Sequence, residues 1–376
     1  MSLAGLLSFR WLSERSSKPS PAAVKATTLL SSVSRPTFDE LPLKSGDPKA
    51  SAWGLWGDDD ERGTLNLITD DVVRAAIAES NQGKVVNLNL PLNVPRKPMN
   101  PRRKPCAHTL IAKGHANDDE LDFNTQSSSH WDGLRHFPYS ETKQFYNGVV
   151  QDDISTSHKI GIQSKWSPNR YPIRPSNPLI ALDIAVKPIV TRGVLIDWYS
   201  FAQRKDLTHR PFTNQAIPLD EILEVAREQR VTFRRGDVLI IRTGWTAAYS
   251  KMTDSEKDHL GGRDNRASCG VESTEAAIRW HWDQGFAAVA SDTVAYEAWP
   301  PTKSWGVSMH ECVQVFLSGW GMPIGECWDL EELSETCKML DRWTFLLTSQ
   351  PLNLPGGLRV PPTPPQFSRL RMILVH

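Results

Sequence analysis

The chain lacks the features that would tie it to a membrane, a nucleic acid or an oxidising compartment. Its 376 residues carry 43 Lys and Arg against 43 Asp and Glu, so the formal net charge is zero. A neutral chain has no global field to draw it to nucleic acid or to an anionic bilayer. No apolar run approaches the roughly 20 residues that span a bilayer. Cysteine is scarce and odd in number: Cys106, Cys269, Cys312, Cys327 and Cys337, with no CxxC pair and no zinc-finger spacing. With no secretory signal read at the N-terminus, this excludes a disulfide framework and predicts reduced thiols in a cytoplasmic protein. No internal repeat is present, and no long low-complexity block occurs after residue 40. The basic clusters Arg96-Lys97 and Arg102-Arg103-Lys104 sit among prolines and read as solvated loops.

The composition itself is globular, 39% hydrophobic, with 14 tryptophans. Most of these are expected in a core and a few in an aromatic pocket. Residues 1–35 are rich in Ser, Ala and Lys/Arg, with Glu14 the only acid. They read as a disordered tail, a mitochondrial targeting segment being the alternative. The folded part is expected over 36–358. The prolines after Arg359 predict an irregular tail over 359–376.

Within the folded part, 85–90 alternates apolar and polar residues, as a strand with one solvated face does. Leu179–Asp183, Gly193–Asp197, Asp237–Arg242 and Phe286–Ser291 are more continuously apolar and suit buried strands. Helices are expected over 218–229, started by Pro218, and over 273–284, capped by Ser273 and ended by Gly285. Two more are expected over 308–320, capped by Ser308, and near 330–340, opened by Asp329. Interleaved strands and helices predict an α/β class: a single domain with a mixed sheet and flanking helices.

The segment Gln126-Ser-Ser-Ser-His130-Trp-Asp132-Gly-Leu-Arg-His136 is the sharpest chemical feature. Residues two apart on a strand share a face, so His130 and Asp132 would converge on one point, as metal ligands do. A bend between Gly133 and His136 would bring the second imidazole over the same point. A metal there would acidify a water, and His136 would act as general acid or base. The competing reading of His-x-Asp is a surface hydrogen-bonded pair. Trp131 and Trp299 are either aromatic walls of a pocket or core residues. Asp292 and Glu297, after a buried strand, are either functional groups or a turn acid and a helix-start acid.

The same segment resembles the signature of the cyclase family, roughly H-x-G-T-H-x-D-x-P-x-H, a family that includes bacterial kynurenine formamidases and isatin hydrolases. The resemblance continues through Tyr146-Asn-Gly148, Arg235-Gly-Asp-Val-Leu-Ile-Ile-Arg-Thr-Gly-Trp245, Ala290–Glu297, Gly321–Glu326 and Pro351–Gly357, in the family's order. It implies the swivelling β/β/α fold of that family and a divalent metal, manganese or zinc. It implies ligand positions at His130 and Asp132, the acid/base position at His136 and a later glutamate ligand at Glu326. Gln126 stands where the signature has its first histidine, and an amide oxygen there leans the site toward harder ions such as manganese or magnesium. For the family's later histidine the chain offers His310, or Gln314 one turn on.

The activity the resemblance implies is metal-dependent hydrolysis of an amide, such as an aryl formamide of the N-formylkynurenine kind, or of a lactone-like carbonyl. The alternatives are a metal-independent cyclase or dehydratase of secondary metabolism, favoured by Gln126, and a non-catalytic ligand-binding relative. The expected partner is a small-molecule substrate, with neither nucleic acid nor membrane. The resemblance also implies a homo-oligomer.

Overall fold

The computed structural model describes residues 35–161, 184, 187–301, 314–352, 354 and 357, and the backbone alone of 359–360 and 371–374. Pro36–His376 forms one unit. Its strands are, in chain order, β1 Lys84–Asn87, β2 Ala107–Ala112, β3 Asn117–Asp122, β4 His130–Asp132 and β5 Ile189–Ile196. Next come β6 Ala216–Ile217, β7 Val238–Ile241, β8 Gly270–Val271 and β9 Ala288–Ser291. The last are β10 Ile324–Glu326, β11 Thr344–Ser349, β12 Arg359–Val360 and β13 Arg371–Leu374.

Among the described residues the main sheet has nine strands, in the order β1-β13-β11-β5-β7-β9-β10-β4-β12. Its centre, β5-β7-β9-β10, is parallel, and every pairing outside that centre is antiparallel. Three of the parallel strands, β5, β7 and β9, overlap continuously apolar runs of the sequence, because both of their faces are covered. Their alternation divides the core in two. Val194, Ile196, Leu239, Ile241, Val289 and Ile324 enter one cluster, and Leu195, Val238, Ile240, Ala288 and Ala290 enter the other. Gly193 lies directly across from Phe345 on β11. A Cβ at Gly193 would stand 2.3 Å from the phenyl ring, so the register needs glycine there.

The helices flank this sheet, and the α/β class with a mixed sheet is as expected. Leu219–Glu228 follows Pro218 and buries Ile222, Val225 and Ala226. Glu275–Gln284 ends on Gly285 at φ +73°, but Thr274 caps it rather than Ser273. The Ser273 hydroxyl instead donates to Glu297 (2.6 Å). In front of Glu331–Leu340, the Asp329 carboxylate accepts from the Glu331 amide at 3.3 Å.

Three expectations need correction or fall elsewhere. The segment 359–376 is not wholly irregular: Arg359–Val360 pairs with β4, and Arg371–Leu374 pairs with β1 and β11. Leu179–Asp183 and the first part of the expected helix 308–320 lie outside the described residues. The remainder of that helix is a turn of π-helix, Gln314–Gly319.

Ion pairs of buried arginines tie the strand ends together. Arg192 is bidentate on Asp237 (2.9 and 2.6 Å). Arg242 bridges Asp197 (2.9 Å) and Glu331 (2.7 Å). Asp292 accepts from the Thr243 amide and hydroxyl and from the Gly244 amide, at 2.6 to 2.9 Å, which fixes the turn after β7. Much of the segment 235–245 is therefore scaffold.

His281 is fully buried, with one ring nitrogen 2.7 Å from the Ala277 carbonyl and the other 2.8 Å from the Tyr296 hydroxyl. Burial pushes its pKa down to about 4. The unfolded chain therefore binds this proton more readily than the folded one. The stability His281 supports is complete above pH ~6.5 and falls as pH drops toward 4, by roughly 3 kcal/mol. In urea titrations at pH 7 and pH 4.5, the stability difference between the parent chain and His281→Phe should shrink at the lower pH. A difference independent of pH would rule this out.

Candidate metal centre and active site

The central residues of the site come from an antiparallel pair of short strands. In the β4–β10 register Glu326 lies opposite His130, and Ile324 opposite Asp132. Strand alternation then puts the side chains of His130, Asp132 and Glu326 on one face. His130 Nε2 is 3.2 Å from Asp132 Oδ1 and 3.4 Å from Glu326 Oε2. One ligand atom from each of the three falls within 4.8 Å of the others, and all three residues are buried.

The opposite face explains the residue between His130 and Asp132. Trp131 points away and packs edge-on against Trp328, with ring centroids 4.9 Å apart. Its indole nitrogen donates to Ser349 Oγ at 2.9 Å. Gly325 lies across from Trp131, and a Cβ on it would meet the Trp328 indole at 2.6 Å. Trp131 is thus a core residue and not a pocket wall, because the alternation that aims its neighbours into the site aims it into the core.

The residues before β4 orient the imidazole. His130 Nδ1 lies 2.8 Å from the Ser128 carbonyl, which can only accept, so Nδ1 carries the proton and Nε2 presents a lone pair. Ser128 is held in turn by its hydroxyl bond to the Pro91 carbonyl (2.9 Å). Ser129 accepts from the Leu90 amide (2.9 Å) and donates to the Cys327 carbonyl. Burial alone would push the His130 imidazole down, but the Asp132 and Glu326 carboxylates outweigh it and hold its pKa above the ordinary value. The site therefore favours a positive charge at Nε2, a proton or a metal. After Glu326 the chain turns sharply: Cys327 has φ +56°, a left-handed conformation costing about 1–3 kcal/mol in a non-glycine residue. The bonds from the Cys327 amide to the Thr293 carbonyl (2.9 Å) and from the Trp328 amide to the Ser291 carbonyl (3.1 Å) hold it.

The bend after Asp132 is present, closed by the His136 amide on the Gly133 carbonyl (2.9 Å). It brings His136 Nε2 to 3.8 Å from Asp132 Oδ2. Unlike the buried His130, Asp132 and Glu326, the His136 side chain is 23% exposed and faces an opening. That opening is a cleft of about 300 Å³. Asp132, Glu326, His136 and Gln126 lie in its wall. Met99, Phe137, Val294 and Trp299 supply apolar surface, so Trp299 is the pocket wall that Trp131 is not. Arg103 and Arg266 supply positive charge. Gln126 Oε1 is buried with no hydrogen-bond donor.

Chemically, the donor set of one imidazole nitrogen and two carboxylates fits a divalent cation. The imidazole lone pair is fixed toward the carboxylates, and His130 Nε2 forms no hydrogen bond. The Gln126 oxygen is a further hard donor on the same cleft.

The remaining sequence candidates fall elsewhere. His310 lies outside the described residues. Gln314 Oε1 accepts from the Ser140 amide at 2.7 Å and does not line the cleft. Asp292 and Glu297 are fully buried and bonded into the scaffold, on Thr243 and Ser273 respectively. Tyr146 and Asn147 hold the 54–60 loop, through the Tyr146 hydroxyl on Asp60 (2.9 Å) and the Asn147 amide on the Gly57 and Asp60 carbonyls (3.2 and 3.0 Å). Sequence reasoning missed Ser128, Ser129 and the two arginines. The expectation of a solvated loop at 102–104 fits the exposed Arg102 and Lys104 but not the half-buried Arg103 between them.

Known proteins share this fold. The profile of the Cyclase family, described as "Putative cyclase", matches residues 51–298. A crystal structure described as a novel cyclase superposes with a TM-score of 0.68 at 26% identity, covering 86% of this chain and 99% of that one. Isatin hydrolase A from Labrenzia aggregata and from Ralstonia solanacearum are each 15% identical with a TM-score of 0.50. They cover 77% and 80% of this chain and 94% and 95% of their own, a likeness of fold alone. No curated protein matches the sequence. Among the described residues no helix is long and apolar enough to cross a membrane. With a family profile matched over well more than half its length, and the fold to go with it, the chain belongs to the Cyclase family.

Proposed function

We propose that the protein is a metal-dependent hydrolase that opens the carbonyl–nitrogen bond of a small aromatic amide. An aryl formamide such as N-formylkynurenine is the first candidate, and a cyclic amide or lactone-like carbonyl the second. The observation that carries this reading is the convergence of His130 Nε2, Asp132 and Glu326 with His136 beside them at the wall of one cleft. A cleft of about 300 Å³ suits a ligand of one or two rings. Met99, Phe137 and Trp299 would take the ring.

His130, Asp132 and Glu326 would hold the cation, with Gln126 as an added oxygen donor. Oxygen-rich donors with a single imidazole favour manganese over zinc. Bound there, a divalent cation polarises the scissile carbonyl and acidifies water. His136, near the site but outside the ligand set, takes the proton of the attacking water and returns it to the departing nitrogen. Asp132, 3.8 Å from the His136 ring, favours the imidazolium formed in between.

The test is turnover of N-formylkynurenine and of isatin by chelator-treated protein, before and after adding manganese. Hydrolysis should be lost with the chelator and return with the ion, at about one equivalent bound. Turnover that survives complete removal of metal would overturn the proposal.

A further inference from the structure

Resting on the hydrolase reading, we propose that Arg103 and Arg266 form an anion clamp, and that the substrate carries a carboxylate in addition to the bond that is cleaved. The charges around the cleft lead to this. Arg96 reaches Asp254 (3.2 Å) and Asp258 (3.3 Å), and Lys104 reaches Asp122 (2.6 Å). Lys113 pairs with Asp118. Arg103 and Arg266 line the cleft itself, and neither has an ion-pair partner among the described residues.

Both are carried on fixed backbone. The turn at Arg103 is closed by its amide on the Asn100 carbonyl (2.9 Å) and by the Arg102 amide on Asn100 Oδ1 (3.1 Å). The loop of Arg266 is held by the Arg263 guanidinium, which donates to the Phe212 carbonyl (2.7 Å) and the Ala267 carbonyl (2.5 Å).

The other charged groups on the cleft are the carboxylates of Asp132 and Glu326. A divalent cation bound by them would cancel their charge, leaving the two guanidiniums as the net charge of the cleft. A guanidinium matches a carboxylate in two-point geometry, which a neutral ester cannot reproduce. The ligand class is therefore a small aromatic acid whose ring lies against Met99, Phe137 and Trp299.

The experiment uses N-formylanthranilate and its methyl ester. Binding is measured calorimetrically on chelator-treated full-length protein carrying Asp132→Asn and Glu326→Gln, which serves as the parent chain of the comparison: the two carboxylate charges are removed as a bound cation would cancel them, a carboxylate–metal bond cannot supply the preference, and the probe stays intact. The parent chain should bind the acid more tightly than the ester, by on the order of ten- to a hundredfold. Arg103→Gln and Arg266→Gln should each lower that ratio, and the double variant should abolish it. Arg102→Gln, exposed and outside the cleft, should leave the ratio as it is. No preference in the parent chain, or a preference that persists in the double variant, overturns the clamp. Manganese-restored turnover of the same pair is scored separately, on the chain that keeps Asp132 and Glu326. An arginine-dependent preference without turnover leaves the clamp standing and removes the hydrolase reading.

Discussion

Asp132→Asn is expected to remove metal and activity together. The substitution keeps the shape of the side chain and takes away one of two negative charges that face His130 Nε2. A divalent cation held by one imidazole and two carboxylates would lose half the charge that neutralises it. Changing an outer-shell partner alone typically costs ten- to a hundredfold in metal affinity, and a direct ligand should cost at least about that. Activity should fall in proportion to occupancy and partly recover at high manganese. A general folding defect would look different. Asp132 and Glu326 both face His130 Nε2 in the stripped protein, so each chain is compared with its own chelated form. Only the manganese-induced rise in Tm should disappear, since that rise reflects binding to the folded state. Parallel melts with and without the ion, alongside elemental analysis, decide it. A variant that retains full metal and full rate would remove Asp132 from the site.

How far the sequence could be read depended on whether a residue's role was local. β5, β7 and β9 were legible because strands buried on both faces must be apolar throughout. The helix Leu219–Glu228 was legible from its stripe and its Pro218 start. The hairpin β2–β3 was not, because Asn117–Asp122 is exposed along its whole length and carries no alternation of polarity. β12 and β13 were hidden because the prolines between them dominate the composition, while strand pairing is settled by partners far away in sequence.

The site obeyed the same rule. His130 and Asp132 could be paired from their spacing alone. Glu326 needed the family's order of motifs, since nothing local says that β10 will lie beside β4. Trp131 could have been placed in the core from the same alternation, because a strand that sends residues 130 and 132 one way sends 131 the other. Arg103 and Arg266 are 163 positions apart in sequence and come to one cleft only through the fold. Gln126 is the case in which the sequence pointed to a change in chemistry and the structure supplies its form, a buried carbonyl oxygen without a donor, on the cleft.

His136→Ala should separate chemistry from metal binding. His136 lies 3.8 Å from Asp132 but outside the three-residue ligand group, and its ring is part exposed where theirs are buried. Its loss should leave metal content unchanged and lower kcat by roughly two to four orders of magnitude, the usual scale of acid–base catalysis. KM should move little, because the ring-binding surface and the arginines are untouched. The change also opens space at the cleft wall, beside an already accessible position. Added imidazole should then raise the variant's rate in proportion to its concentration and leave the parent chain's rate alone. A merely structural histidine would give no such rescue, because a diffusible base cannot repair a packing defect. If the variant loses its metal, His136 belongs with the ligands. If it keeps both metal and full rate, the proton is carried by another group on the cleft, and the proposed role of His136 is wrong.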